Sequence, residues 1–345
     1  MSLPLVSIIT INYNEADTTA RCLDSLRRLT YPHVECLVVD NASADGEAVA
    51  LQDAFPDATV ISSPVNLGFA GGNNLAIRRA TGAYVLLLNN DAVAAPGLLE
   101  PLVAALEADP QIGIASPKIL FDGTADAAGR HRIQYAGSSP INPYTGRSET
   151  VGWRARDDGS FDASGPTHLA HGAAMMIRRS VFDAIGLLDE RYFLYYEEHD
   201  FAARAQRAGY TIHYEAEGVV YHQASLSVGR HSPLKAHYMT RNRLLYLRRN
   251  VTGLAFLLST LIFWALAVPK RLLGHLLRGD TERLRAVWRG ACWHLKAADQ
   301  TGPKIPTLPE RPYRALPHFA TASAPSSVRL PDANALAASQ ARAIS

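Results

Sequence analysis

Cysteine is scarce in this chain: Cys22, Cys36 and Cys292 are the only three among 345 residues, far apart and without a CxxC pair. That argues against both a disulfide framework and a thiolate zinc site, and makes reduced thiols of a cytoplasmic protein the expectation. A large charge imbalance is also missing. The net charge of +2 is too small for wholesale nucleic-acid binding, and the basic residues that do cluster lie late, at 241–249 and 270–289. The first residues lack the basic n-region and small-residue cleavage site of a secretory leader, so nothing is expected to send the front end across a membrane. No GxGxxG follows the first apolar run, which disfavours a dinucleotide-binding dehydrogenase. No basic Gly-rich loop stands there either, as a nucleotidyltransferase would want; Asn12, Tyr13 and Asn14 occupy the place.

What is present is enough apolar material, 48% of residues, for one large domain or two modest ones. Short β-branched runs at 6–11, 34–40 and 84–88 read as strands buried on both faces, and helix-like segments at 16–29 and 72–80 lie between them. Strands alternating with helices predict an open, mostly parallel α/β sheet with right-handed crossovers. Ligands of such sheets bind outside the carboxyl ends of the strands. That singles out three polar tails: Asn12 to Glu15, Asp40 to Ser43, and Asn89-Asn90-Asp91. Residues 122–167 form a long irregular segment with scattered aromatics, Tyr135, Tyr144, Trp153 and Phe161, which reads as a binding loop, a lid or a disordered stretch. A strand at 171–178, a short helix at 181–185 and a strand at 212–221 follow.

The densest chemistry is at Tyr195-Tyr196-Glu197-Glu198-His199-Asp200, three carboxylates within four residues ahead of a helical segment at 201–208. Crowded like charges raise at least one carboxylate pKa, as a general base near neutral pH requires. An acidic, solvated helix N-terminus would use the same residues. Asp91 holds one carboxylate at the mouth of a buried strand, adequate for a Mg2+ or Mn2+ ion that arrives with a diphosphate, although Asn-Asn-Asp also serves as a plain turn. The string NLGFAGGNN at 66–74 is a Gly-rich loop of the kind that lets backbone amides approach phosphates.

Taken in order, VSIITINYN at 6–14, VVDNAS at 38–43, NLGFAGGNN at 66–74, LLLNND at 86–91 and the acidic element within 172–209 resemble the family 2 glycosyltransferases of GT-A fold. The resemblance spans about residues 4–250 and is nearest to the bacterial branch that builds cell-surface polysaccharides, rhamnosyltransferases among them. It implies an inverting transfer from a nucleoside-diphosphate sugar, with deoxythymidine-diphosphate rhamnose the first candidate, to a saccharide or lipid-linked acceptor. It also implies that Ile11, Tyr13 and Glu15 border the base, that Asp40 contacts base or ribose, and that Asn74 and Asn90 serve the donor site. Asp91 matches the metal-binding Asp of the family's Asp-x-Asp element, here with Asn89 in place of the first carboxylate. Glu198 stands where the family has its catalytic Asp, with Asp200 and Glu197 as alternatives. His222 matches a His that reaches the metal or diphosphate, and Arg241 a basic site near the donor phosphates. A chain that kept the fold but serves as an inactive partner in an assembly complex is the other reading, and the missing metal carboxylate is its support.

The apolar run at 251–268, flanked by Arg248-Arg249 and Lys270-Arg271, is at the lower limit for crossing a bilayer. Residues 271–296 interleave Leu, Trp and Arg as an interfacial helix would. The pair predicts attachment to the cytoplasmic face of the inner membrane, with a soluble helical hairpin as the alternative. Residues 301–345, rich in Pro, Ala and Ser, read as a mobile tail.

Overall fold

The computed structural model describes residues 3–44, 46–223 and 232–295. The first half alternates as its sequence pattern requires: β1 (Val6–Asn12), α1 (Ala16–Leu26), β2 (Val34–Asn41), α2 (Glu47–Ala54), β3 (Thr59–Ser63), α3 (Gly68–Ile77) and β4 (Tyr84–Leu88). Then come β5 (Ala92–Ala94), α4 (Leu99–Ala108), β6 (Ile112–Phe121), β7 (Ile133–Tyr135), β8 (Gly165–Thr167), β9 (Ala174–Arg178), α5 (Arg179–Ile185) and α6 (Glu197–Arg207). The chain continues with β10 (Thr211–His222), α7 (Pro233–Asn250), α8 (Gly253–Ile262), α9 (Val268–Leu276) and α10 (Thr281–Cys292).

The strands form one sheet in the order β3-β2-β1-β4-β9-β6-β10-β5, with β7 added to β6 and β8 to β10. Strands β3, β2, β1 and β4 are parallel. The other half is mixed, because β9 runs antiparallel to both β4 and β6. Successive residues face opposite sides, and both sides are covered. Ile8, Val38 and Leu86 pack with α1 and α4 in one core, while Ile9, Leu37 and Leu87 pack with α3, α5 and α6 in the other. That double burial is why these strands read as unbroken apolar runs.

Two departures from the sequence reading matter for the site. The Gly-rich string is not a loop: α3 begins at Gly68, four residues before the helix expected from residue 72. Its glycines permit close packing, since a Cβ on Gly72 would sit 2.9 Å from Ile11 Cδ1. The first helical amides are also occupied, with Phe69 N donating to Phe193 O at 2.6 Å and Ala70 N to the same oxygen at 3.4 Å. The phosphate-cradling role expected of this string therefore has a structural competitor. Second, residues 122–167 are not wholly irregular, because β7 and β8 tie them to the sheet and three isolated bridges fold the segment on itself. Lys118, 4% exposed, pins the segment through ion pairs with Asp157 and Asp162.

At the C-terminal end, α7 packs on α10. Among the described residues one helix, Gly253–Leu276, is long and apolar enough to cross a membrane by length and composition, and most of it is not buried. It is interrupted by a π-helical turn at Phe263–Ala267. Pro269 explains the turn: its ring removes one helical N–H and crowds the carbonyl four residues back. Leu254, Leu257, Leu258 and Leu261 before the turn, and Leu266, Leu273 and Leu276 from it onward, are all exposed. The tail at 301–345 lies outside the described residues.

Gly68 has φ +68°, and a Cβ there would collide with the carbonyl and ring of Phe193. Gly68→Ala is expected to cost about 2–3 kcal/mol, read as a lowered midpoint in urea unfolding; an unchanged midpoint would show that α3 and the Phe193 loop are not interlocked.

Candidate active site

The carboxyl ends of β1, β2 and β4 open into a cavity of about 670 Å³. Buried Asn12 holds these ends together. Its Nδ2 faces Asp40 Oδ1 at 3.0 Å, Ser43 Oγ at 3.0 Å and Glu47 Oε2 at 2.8 Å, while its Oδ1 accepts from Thr19 Oγ1 at 2.7 Å. Thr19 Oγ1 in turn accepts from Asn90 Nδ2 at 3.1 Å. Ile11, Tyr13 and Asn90 line the cavity. Asp40 and Glu15 do not: Asp40 is turned to Asn12 and to the Ser43 amide, and Glu15 accepts the Thr18 hydroxyl at the start of α1. From β2 it is Asn41 that reaches the cavity, braced against Leu67 N at 2.8 Å and Gly68 O at 3.1 Å.

Asp91 and His222 meet in the cavity wall because β10 pairs with β5 in a register that sets His222 opposite Ala92. Asp91 Oδ1 lies 2.9 Å from His222 Nε2, and both residues are about 5–6% exposed. The imidazole Nδ1 faces Gln134 Oε1 at 3.0 Å, and Asn89 Nδ2 faces Nε2 at 3.3 Å. These partners assign the ring proton to Nδ1, which leaves a lone pair on Nε2 turned to a carboxylate oxygen. Close as it is, Asp91 Oδ1 is buried without a hydrogen-bond donor. Two lone-pair donors with no proton between them suit a cation. Among the described residues no group of three such ligands exists, so a metal here would draw the rest of its shell from substrate and water.

Across the same cavity, α6 presents Glu197, Glu198 and His199. Burial, and then the charge of Glu198, push the pKa of Glu197 well above the usual carboxylate range. Burial also opposes ionisation of Glu198, but His199 and the Glu198 backbone amide outweigh it and lower its pKa. Crowding therefore raises Glu197, while Glu198 carries the negative charge. His199 Nδ1 stands 3.3 Å from Glu198 Oε1, and Glu198 Oε2 is buried with no partner. Asp200, the alternative base, points away from the cavity. It is fully buried and bonded to Arg204 Nε at 2.7 Å, Asn250 Nδ2 at 3.0 Å and Tyr192 OH at 3.3 Å.

The backbone leading into α6 is strained: Phe193, Tyr195 and Tyr196 have φ of 63°, 70° and 76°. Left-handed conformations in three non-glycine residues persist only where the surroundings impose them. Here α7 does so. Asn242 Nδ2 faces the carbonyls of Tyr192, Leu194 and Tyr195 at 2.7–2.8 Å, and the Arg241 guanidinium donates to those of Arg191 and Tyr192. Arg241 also lies over the rings of Tyr238 and Trp293. It is thus placed behind the loop and outside the cavity lining, not at a phosphate site as its motif implied. Asn74 is similarly committed, donating to Leu188 O at 2.8 Å and Glu190 Oε1 at 2.9 Å and accepting from Leu188 N at 3.1 Å.

Several cavity residues had no role in the sequence reading. His171 precedes β9, lines the wall, and has its pKa lowered to about 4 chiefly by burial, so it is neutral. Its Nδ1 accepts from Ala173 N at 3.1 Å, which puts the ring proton on Nε2. Trp153 and Arg154 bring the 122–167 segment into the wall, with the Arg154 guanidinium 5.8 Å above the indole. Of the four loop aromatics, Trp153 and buried Tyr135 line the cavity; Tyr144 and Phe161 do not.

The glycosyl transferase family 2 model matches residues 7–186. The chain belongs to this family. Over 253 residues it is 26% identical to N-acetylglucosaminyl-diphospho-decaprenol L-rhamnosyltransferase of Mycobacterium tuberculosis, covering 68% of this chain and 81% of that one. The O-antigen biosynthesis protein RfbC of Myxococcus xanthus is 30% identical over 237 residues, which are 65% of this chain and 18% of that longer protein. Among solved structures, the mannosyltransferase PcManGT from Pyrobaculum calidifontis, in complex with GDP-Man and Mn2+, superposes with a TM-score of 0.54. The two are 19% identical over 87% of this chain and 89% of that one, a likeness of fold. The α/β architecture of this family 2 chain is that of the GT-A glycosyltransferases.

The buried acid pair makes stability depend on pH. Glu197 keeps its proton in the folded state after an unfolded chain has lost it, so stability falls as pH rises from the ordinary carboxylate value to the raised one. Glu197→Gln should flatten that decline in melting temperature against pH; a parallel curve for the variant would place the proton elsewhere.

Proposed function

We propose that this glycosyltransferase is inverting and metal-dependent, and that it moves a sugar, rhamnose first, from a nucleoside diphosphate to a hydroxyl of a lipid-linked saccharide. The observation that carries the reading is the ionised Glu198, whose buried Oε2 has no partner, facing a cavity that also holds the Asp91–His222 pair. Glu198 accepts the proton of the acceptor hydroxyl as the new carbon–oxygen bond forms at the anomeric carbon. The bond to the diphosphate breaks in line, and the diphosphate leaves with the electron pair. A bound Mg2+ or Mn2+ supplies charge neutralisation to that leaving group.

Asp91 and His222 would hold the ion, Asn90 would serve the donor beside it, and Ile11 and Tyr13 would flank the nucleobase. His199 holds Glu198 ionised. Two solved structures of similar fold, the mannosyltransferase and GalNAc-T7, both contain Mn2+, and GalNAc-T7 superposes with a TM-score of 0.54 at 18% identity. For the acceptor, support comes from the mycobacterial relative, whose substrate is a diphospho-decaprenol. The exposed leucines of Gly253–Leu276 support work at the cytoplasmic face of the inner membrane.

Glu198→Gln should lower transfer by roughly 10²–10⁴-fold while nucleotide-sugar binding persists, measured by thermal shift beside product formation. Near-normal turnover would remove Glu198 as the base. Chelation should abolish transfer and Mn2+ or Mg2+ restore it; full activity in excess chelator would refute the metal role of Asp91 and His222.

A further inference from the structure

Arg147, Arg243 and Arg271 come from three separate parts of the chain and converge beside Tyr196. Arg243, on α7, is 5% exposed; its Nε donates to Thr145 O at 2.5 Å and its guanidinium lies 5.9 Å above the Phe263 ring. Its two terminal nitrogens meet no acceptor among the described residues. Arg271, on α9, donates through Nη1 to Thr240 Oγ1 at 3.0 Å, one turn before Arg243 on α7. Arg147 is exposed, on a segment that packs onto Arg243: a Cβ on Gly146 would lie 3.6 Å from Arg243 Cγ.

Among the described residues, none of the three arginines has a carboxylate within ion-pair distance. The other buried cations differ. Lys118 has two aspartates and Arg204 has Asp200, while Arg241 is satisfied by carbonyls and rings. Burial, and then Arg147, depress the pKa of both Arg243 and Arg271. Half-buried like charges without a counter-charge are costly, and an anion arriving from outside relieves them. Guanidinium forks match phosphate oxygens in geometry.

The position of the cluster narrows the anion. Arg271 belongs to the helix whose exposed face carries Leu266, Leu273 and Leu276, where an acyl or prenyl chain would lie. Tyr196, whose ionisation is opposed by burial and favoured by the three arginines, immediately precedes Glu197 and Glu198 in the cavity wall. Apolar face, cationic cluster and candidate base thus follow one another in space.

We propose that Arg147, Arg243 and Arg271 bind the diphosphate of a lipid-linked acceptor, holding its sugar toward Glu198. This rests on the reading of the chain as a transferase to a lipid-linked saccharide. Three cations suit a diphosphate better than a single headgroup phosphate, and the cluster adjoins the catalytic loop, not the distal end of the apolar helix.

Cosedimentation of the full chain with phosphatidylcholine vesicles tests the site. One set carries a polyprenyl diphosphate, and a second carries phosphatidylglycerol at matched negative charge. Arg147→Ala and Arg271→Gln should each weaken binding to the first set by roughly tenfold or more. Binding to the second set, and protection against thermal unfolding by nucleotide sugar, should stay as in the parent. Exposed Arg147 keeps the test valid if Arg271→Gln fails to fold. Unchanged binding to the diphosphate vesicles overturns the proposal, and so does an equal loss on both sets, which would mark general attraction to an anionic surface. If the parent binds the diphosphate through these arginines yet takes up no nucleotide sugar, the site stands and the transferase reading falls.

Discussion

The acidic wall of the candidate site depends on one side-chain amide. Asn242 donates to the backbone carbonyls of Tyr192, Leu194 and Tyr195, a stretch whose left-handed residues would otherwise relax. Two N–H groups shared among three acceptors is a tight constraint, and Arg241 reinforces it from the same helix. Because Tyr196 opens α6, the direction in which Glu197 and Glu198 project follows from this clamp. The loop also reaches across the crevice, since Phe193 O accepts the first amides of α3. Helix α3 and the acidic element are therefore set by the same few backbone atoms.

Electrostatics then divides labour within the cavity. Two adjacent glutamates in one buried wall cannot both ionise cheaply. His199 decides which one does, so Glu198 is charged and Glu197 neutral. Opposite them, Asp91 and His222 bring together two electron-pair donors, an arrangement that repels protonless neighbours and invites a cation. The cavity thus has an anionic wall that would accept a proton and another that would accept a metal.

Residues at strand ends were legible in the sequence because a buried parallel strand announces its own carboxyl end. Tyr13, Asn90 and Asp91 lie in the tails that this rule singles out and line the cavity, as does Ile11, which the family resemblance supplies; Glu15 and Asp40, in the same tails, do not. His222 and Glu198 came from the order of motifs and also face it. Legibility failed where a polar side chain is spent on distant backbone. Arg241, Asn74 and Asp200 belong to polar motifs, yet each is saturated by carbonyls or partners far away in sequence, which spacing cannot foretell. Asn242, between two arginines, had no signal at all. The Gly-rich string was misread for a related reason: glycine serves close helix packing as readily as it serves a phosphate. Strands β3, β5 and β6 and helices α2 and α4 went unnoticed, and the mixed half of the sheet escaped because antiparallel β9 gives no local sign of its direction.

The π turn at Phe263–Ala267 has a consequence for what the apolar helix conserves. A regular α-helix rotates about 100° per residue, so a step of five from Leu261 to Leu266 would swing the second leucine well off the line of the first. The wider turn takes up the extra residue, and Leu266, Leu273 and Leu276 are exposed as Leu261 is. What the helix preserves is a side and not a length. Such an element is shaped like a keel, and it gives the crevice a fixed orientation with respect to whatever surface its leucines meet.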